Sequence, residues 1–430
     1  MSRLLIRHAR VVDPAQRLDA GLDILVVNGE VARLAERIED RDAEVMDATG
    51  LVAAPGFIDI HVHLREPGFE YKETVATGVA AAVAGGFTAL CAMPNTSPVN
   101  DSAAVTEFVL SRAREAGLAR VYPVGAVSKG SAGQELAEMG EMVRAGAVAF
   151  TDDGKPVANS YLLRKALEYT RLFDVPVIQH CEDPDLAAGG VMHEGVVATR
   201  LGLKGIPAVA EDVMVARDVL LAEMTGGRYH VAHLSTAGAL EIVRAAKDRG
   251  TNVTCEVTPH HLALTDQAVA DSVYDTHTKM NPPLRSGDHV EAVLQGVLDG
   301  TVDCLASDHA PHHADEKALE FDLAPFGIVG LETAIPLTYD LLVRRHRLPL
   351  RMFVALWSTH PARLLRLPGG TLKVGSPADI TLLDLETRHT VNPERFRSLS
   401  RNTPFGGQRL RGWPAATVVG GKVVWRRDRR

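Results

Sequence analysis

FIDIHVHLREPG, residues 57–68, decides the fold. FIDIHVHL (57–64) reads as a strand, and its histidines, His61 and His63, stand two apart, so both point to the same side of it. Two imidazoles on one side of a strand end are a natural metal chelate, although a lone pair of this kind is commonly structural. Working outward, seven further apolar runs have strand character: 86–94, 120–127, 146–152, 175–181, 229–235, 252–258 and 302–308. Helical patterns lie between them, among them TVATGVAAAVAG (74–85), SAAVTEFVLSRAREAG (102–117), YLLRKALEYTRLF (161–173) and AGALEIVRAAKDRG (237–250). The last ends on a glycine, a common C-terminal stop. Eight strands separated by helices predict an α/β chain with a parallel sheet closed as a (β/α)8 TIM-like barrel.

Both ends of the chain read differently. LLIRHARVVD and LDILVVNGEVARLA at the start, and GGTLKVGSPADITLLDL and ATVVGGKVVWRR near the finish, are β-rich runs broken at glycine or proline. They predict one small β-sandwich domain built from 1–55 and 366–430, with the barrel spanning 56–365. RRDRR (426–430) reads as a solvated tail.

The chemistry-bearing residues gather at the downstream ends of the strands. Strand one ends in His61-Val62-His63-Leu64-Arg65, strand four in Thr151-Asp152-Asp153-Gly154, and strand five in His180-Cys181-Glu182. Strand six ends in His233, and strand eight in Ser307-Asp308-His309. In a (β/α)8 barrel these ends share one mouth, where active sites form. Four histidines with one or two aspartates exceed what one four-coordinate ion needs; two ions sharing a bridging carboxylate would use them all. The alternative, buried structural histidines, requires the same coincidence at several strand ends.

Composition narrows the classes. The chain has 430 residues, 46% apolar and 23% charged, which excludes a disordered or fibrous chain. Its formal charge of -8 gives no basic field to recruit nucleic acid or an anionic membrane. No run is long enough for a membrane span, and the first residues lack the apolar core and cleavage site of a signal peptide. Cys91, Cys181, Cys255 and Cys304 lie far apart within apolar runs, which suits reduced thiols and a cytoplasmic location.

DIHVHLREPG, the strand-eight SDHAPH and the segment from Gly370 to Asp384 resemble the amidohydrolase superfamily and, within it, the bacterial class I dihydroorotases, over nearly the whole chain. That resemblance implies a hydrolase of pyrimidine biosynthesis that reversibly cyclises N-carbamoyl-L-aspartate to L-dihydroorotate. It implies two Zn2+ ions per chain, the second site partly occupied. His61, His63 and Asp308 would hold one ion, His180 and His233 the other, and Asp153 would bridge them. Asp152 and Asp153 are adjacent and cannot both point inward along an extended strand; only the resemblance chooses Asp153. Related hydantoinases, dihydropyrimidinases and allantoinases carry a carboxylated lysine at the end of strand four, whereas AVAFTDDG holds none and Lys155 falls two positions beyond Asp153.

The resemblance further implies substrate contacts from His63, Arg65, Asn95, Asn281, His312, Phe326 and Gly327, with Asp308 as the catalytic base. Arg65 is the residue suited to a carboxylate that neutral hydantoins lack; its structural alternative is a salt bridge at the barrel rim. Asn281 precedes Pro282-Pro283 and reads equally as a turn residue, and His260, His261, His309 and His313 read as loop histidines. The segment 310–330 reads as a loop over the mouth. A homodimer and an association with aspartate transcarbamoylase are the implied partners. The rival readings are a hydantoinase-type amidohydrolase and a non-catalytic scaffold for aspartate transcarbamoylase.

Overall fold

The computed structural model describes residues 2–428; Met1 and the last two residues of the expected tail lie outside them. Eight parallel strands follow one another around a barrel in chain order. They are Phe57–Val62, Phe87–Ala92, Arg120–Gly125, Ala149–Phe150, Val177–Gln179, Tyr229–Val231, Val253–Val257 and Cys304–Leu305. Between the first and last, the seam closes just beyond the strands. Val62 bridges His309 in parallel, the His63 N–H donates to the His309 carbonyl at 2.9 Å, and the Ser307 N–H donates to Asp59 at 3.1 Å. All eight expected strands are therefore present. The fourth is reduced to two residues, because the chain has only just left the turn at Gly146 (φ +118°) and bends away again at Asp152.

The helices fall where the periodicity places them: Val75–Ala84, Ala103–Ala116, Ser160–Thr170 and Ala237–Asp248. The first starts at a Thr74 cap that accepts from the Thr77 N–H, and packs Val75, Val79 and Ala82 inward. Gly85 behind it is required by close approach, since a Cβ there would lie 1.9 Å from the Leu331 carbonyl oxygen. Ile58, Ile60, Cys91, Val124, Ile178 and Cys304 form one buried cluster among the strands. All four cysteines are buried and unpaired.

The two ends of the chain share one eight-stranded, sandwich-like sheet. Arg3–Asp13, Leu18–Val27, Glu30–Ala35, Glu44–Asp47 and Val52–Pro55 come from the start, and Ile380–Asp384, Trp413–Val419 and Lys422–Arg426 from the finish. The halves join where Val52–Pro55 pairs antiparallel with Ile380–Asp384. Ile6, Val11, Ile24, Ile380 and Val418 fill its core. Two threonines bind it to the barrel backbone. Thr381 Oγ1 accepts from the Phe57 N–H at 3.1 Å and donates to the Gly86 carbonyl at 2.7 Å, and Thr417 Oγ1 donates to the Val83 carbonyl at 2.7 Å.

The expected solvated tail needs correction within the described residues. Arg426 ends a strand, and Arg427 lies 4.7 Å from the Trp413 ring centroid and 5.4 Å from that of Trp425, a cation–π arrangement that draws it onto the surface. Another departure concerns the stretch between the last sheet strands. Val391, Phe405 and Leu410 leave the sheet to pack on Met280, Ala310 and Ile328 near the barrel mouth. Among the described residues, no helix is long and apolar enough to cross a membrane.

Candidate metal and active site

The strand ends bring six dispersed residues into one buried cluster. Asp153 stands at its middle: Oδ1 lies 3.3 Å from His233 Nε2 and 3.7 Å from His180 Nδ1, and Oδ2 lies 3.4 Å from both His61 Nε2 and His63 Nε2. Asp308 Oδ1 is 3.2 Å from His63 Nε2 and 3.7 Å from His61 Nε2. His180 Nδ1 and His233 Nε2 approach to 3.0 Å. Within this cluster, His61–His63–Asp308 and His61–Asp153–His233 each offer three donor atoms within 4.8 Å of one another. Imidazole nitrogens with carboxylate oxygens are a donor set for zinc and its neighbours. His61 Nε2 is buried and has no hydrogen-bond partner, a state that a bound cation relieves.

The backbone turns sharply to aim these groups. Arg65 (φ +63°), His233 (φ +33°) and Asp308 (φ +47°) all lie in the left-handed region that side chains other than glycine rarely adopt. Electrostatics follow from the crowding. Burial pushes the Asp153 carboxyl up, but His61, His233 and His63 outweigh it and hold the group well below the usual carboxylate range. Asp308 is lowered in the same way: burial opposes, and His61 and His63 prevail.

The adjacent aspartates separate cleanly. Asp152 turns to Ser128, accepting from its N–H at 3.0 Å and from its hydroxyl, while Asp153 enters the cluster. Lys155 is exposed.

Arg65 is part-buried at the rim. Its Nε donates to the Pro311 carbonyl at 3.1 Å, and one terminal nitrogen lies 3.3 Å from His312 Nε2. Among the described residues no carboxylate pairs with it, so the expected alternative of a structural salt bridge is not what is found. Burial brings its pKa down to about 10, against the pull of Asp308 and Asp153. His312 is held neutral: burial, then Arg65 and Lys72, push it down to about 2. Asn281 is drawn to the cluster, its Nδ2 3.3 Å from His180 Nε2 and its Oδ1 buried without a partner. Asn95 Oδ1 sits 2.8 Å from His63 Nδ1, so that oxygen orients the imidazole. Phe326 is half-buried with Lys279 Nζ 4.7 Å from its ring centroid. Gly327 has both backbone groups engaged: its N–H donates to the Lys279 carbonyl at 2.9 Å, and its carbonyl accepts from Asn402 at 3.0 Å and Lys317 at 3.3 Å.

The histidines read as loop residues are otherwise placed. His309 is buried, 3.3 Å from Glu73 Oε2, and His260 and His261 are buried on the short helix Pro259–Ala263 beyond strand seven. Only His313 is exposed. Two buried residues escaped the sequence reading altogether: Glu256 and His230, on strands seven and six, packed behind His61. The available signal was a lone acid inside the β-branched run NVTCEVT, where a glutamate is almost never fully buried unless paired. Burial pushes Glu256 up, but His61 and His230 prevail and lower it to about 2.

Residues 50–239 match the family described as Dihydro-orotase-like. A protein named dihydroorotase from Anaeromyxobacter dehalogenans is 59% identical over 422 residues, covering 98% of this chain and 97% of its own. The chain belongs to the dihydroorotase family. A second dihydroorotase, from Syntrophotalea carbinolica, is 54% identical over 99% of both chains. The solved L-hydantoinase (dihydropyrimidinase) of Arthrobacter aurescens superposes with a TM-score of 0.87 at 26% identity, over 98% of this chain and 96% of that one. The D-hydantoinase (dihydropyrimidinase) of a Thermus species gives 0.83 at 27% identity, over 98% and 95%. This chain thus shares its fold with these hydantoinases, while its sequence identity to the proteins named dihydroorotase is about twice as high.

Proposed function

We propose that the chain is a dihydroorotase that interconverts N-carbamoyl-L-aspartate with L-dihydroorotate and water. The observation that carries this over a hydantoinase reading is Arg65, a desolvated guanidinium beside the His–Asp cluster that pairs with no carboxylate among the described residues. Such a group favours a substrate that brings its own carboxylate, gripped by a two-pronged hydrogen bond. Dihydroorotate has one and dihydrouracil does not.

The donor set suits a divalent cation, and we assign two ions per chain, as Zn2+. His61, His63 and Asp308 would hold one, His180 and His233 the other, and Asp153 would bridge. Bound there, such ions supply Lewis acidity toward an amide carbonyl and bring the pKa of water near 7. The remaining chemistry belongs to the chain. Arg65 and Asn281 hold the substrate carboxylate, with the Asn95 amide nitrogen beside them, so the reacting atoms meet in a fixed geometry. His312, neutral and 3.3 Å from Arg65, offers a ring nitrogen at the substrate's edge, and Phe326 and Gly327 close that side. Asp308 accepts the proton of the attacking water and delivers it to the leaving ring nitrogen; cyclisation runs the same transfers backward. A homodimer and an association with aspartate transcarbamoylase belong to this proposal through the family resemblance, and size-exclusion chromatography and a pull-down with purified transcarbamoylase test them.

The deciding experiment is a paired assay on protein of known metal content. Ring opening of L-dihydroorotate and of dihydrouracil is followed for wild type and Arg65→Ala. Turnover of dihydroorotate alone, with kcat/KM falling about 100-fold or more in the variant, is expected from loss of a buried charged contact. Preferential turnover of dihydrouracil would overturn the assignment.

A further inference from the structure

Behind His61 runs a buried relay that ligation alone does not account for. Glu256 directs one carboxylate oxygen to His61 Nδ1 at 2.6 Å and the other to His230 Nε2 at 3.2 Å. His230 completes its own bonding through Nδ1, 2.8 Å from Thr254 Oγ1. Glu256 also accepts from the His233 backbone N–H at 3.4 Å, so it touches both triads of the cluster. The relay crosses from strand six through strand seven to strand one, and Glu256, His230 and His61 are all fully buried.

A buried carboxylate is costly unless both oxygens are satisfied, and a barrel with the whole Glu256–His230 pair replaced by packed apolar residues would be about as stable, so stability alone does not call for the pair. Its geometry does something a hydrophobic residue does not. With its Nδ1 hydrogen donated to Glu256, a neutral His61 presents Nε2 as a bare lone pair, and Nε2 is the buried atom that faces Asp153 and Asp308 with no hydrogen-bond partner. His230, donating from Nε2 and accepting at Nδ1, in turn fixes the rotation of the carboxylate.

We infer that Glu256 is a positioning residue which, clamped by His230, locks His61 in the tautomer and orientation that bind a divalent ion. This rests on the metal reading above. The carboxylate both orients the imidazole and raises its basicity, a partnership whose loss usually weakens metal binding ~10–100-fold.

The test uses full-length wild type, Glu256→Gln, Glu256→Ala and His230→Gln. Each is stripped of metal and titrated with Co2+ or Zn2+ against a chelator, with the visible spectrum of the Co2+ form and the melting temperature of the metal-free protein recorded alongside. Dissociation constants should weaken ~10-fold in Glu256→Gln, which keeps a hydrogen bond but not the charge, and ~100-fold in Glu256→Ala. The Co2+ bands should shift in both. His230→Gln, which hydrogen-bonds no proposed ligand, should weaken binding in the same direction, and a folded metal-free protein, read from its melting temperature, keeps that loss from being mere unfolding. Should Glu256→Ala fail to fold, Glu256→Gln and His230→Gln decide. Wild-type affinity and an unchanged Co2+ spectrum in those folded variants would overturn the proposal. Absence of Co2+ and Zn2+ binding by wild type is a separate result, and it would overturn the metal reading itself.

Discussion

Asp152 and Asp153 are chemically identical neighbours with opposite fates. Asp153 is surrounded by four imidazoles, whereas Asp152 secures the turn through Ser128. Asp153→Asn should therefore lose bound metal and activity while folding normally. Asp152→Ala should keep its metal but lose about 1–3 kcal/mol of stability, the cost of unpairing the buried Ser128 groups; metal analysis beside chemical unfolding separates the two. The paired histidines of HVH and the recurrence of histidine at strand ends were legible because strand alternation and barrel topology carry them to one mouth. The choice between the aspartates was not, because strand four is two residues long and no alternation extends to its end. Glu256 escaped for a related reason: its partners His61 and His230 lie on other strands, and sequence spacing says nothing about which side chains meet across a barrel.

At the scale of elements, the segment 310–330 is more than a loop. It contains the short helix Ala314–Lys317 and is clasped to the strand-one loop by Lys72 and Tyr71, which meet Glu316 at 2.9 and 3.1 Å. From inside, two lysines hold it by its own carbonyls: Lys279 takes Phe321 and Asp322, and Lys317 takes Pro325 and Gly327. Its irregular composition suggested a cover over the mouth, but the lysine pegs were unreadable because their acceptors are backbone atoms. Replacing residues 319–323, which are exposed except for the buried Phe321, with Gly-Ser should raise KM or lower kcat, and unchanged kinetics would remove the segment from the mechanism. Burial, reinforced by Lys279, pushes Lys317 down to about 7. The folded chain then binds fewer protons than the unfolded chain between that value and the ordinary 10.5 of lysine, so stability rises with pH across this window. Melting temperatures of wild type and Lys317→Met, compared from pH 7 to 10, should show the wild type gaining on the variant.

For the whole molecule, the pairing of the termini was legible from two β-rich ends flanking a different middle. What the ends alone did not reveal is how the sheet is fastened to the barrel, since Thr381 and Thr417 look like ordinary strand residues. Thr381→Val preserves shape but strands the Phe57 N–H and the Gly86 carbonyl, each worth about 1–3 kcal/mol when left unpaired. Chemical unfolding should show that loss, with metal content unchanged in the folded protein. The joint between the halves of the sheet also has a consequence in time. Val52–Pro55 finds its partner in Ile380–Asp384, more than three hundred residues later. At ~5–20 residues per second of translation, an N-terminal strand edge stands open for on the order of half a minute while the ribosome works through the barrel. During that interval the nascent chain offers a bare hydrogen-bonding edge to any chaperone or to a sister chain on the same message, and a truncation anywhere before residue 380 would leave that edge permanently uncovered.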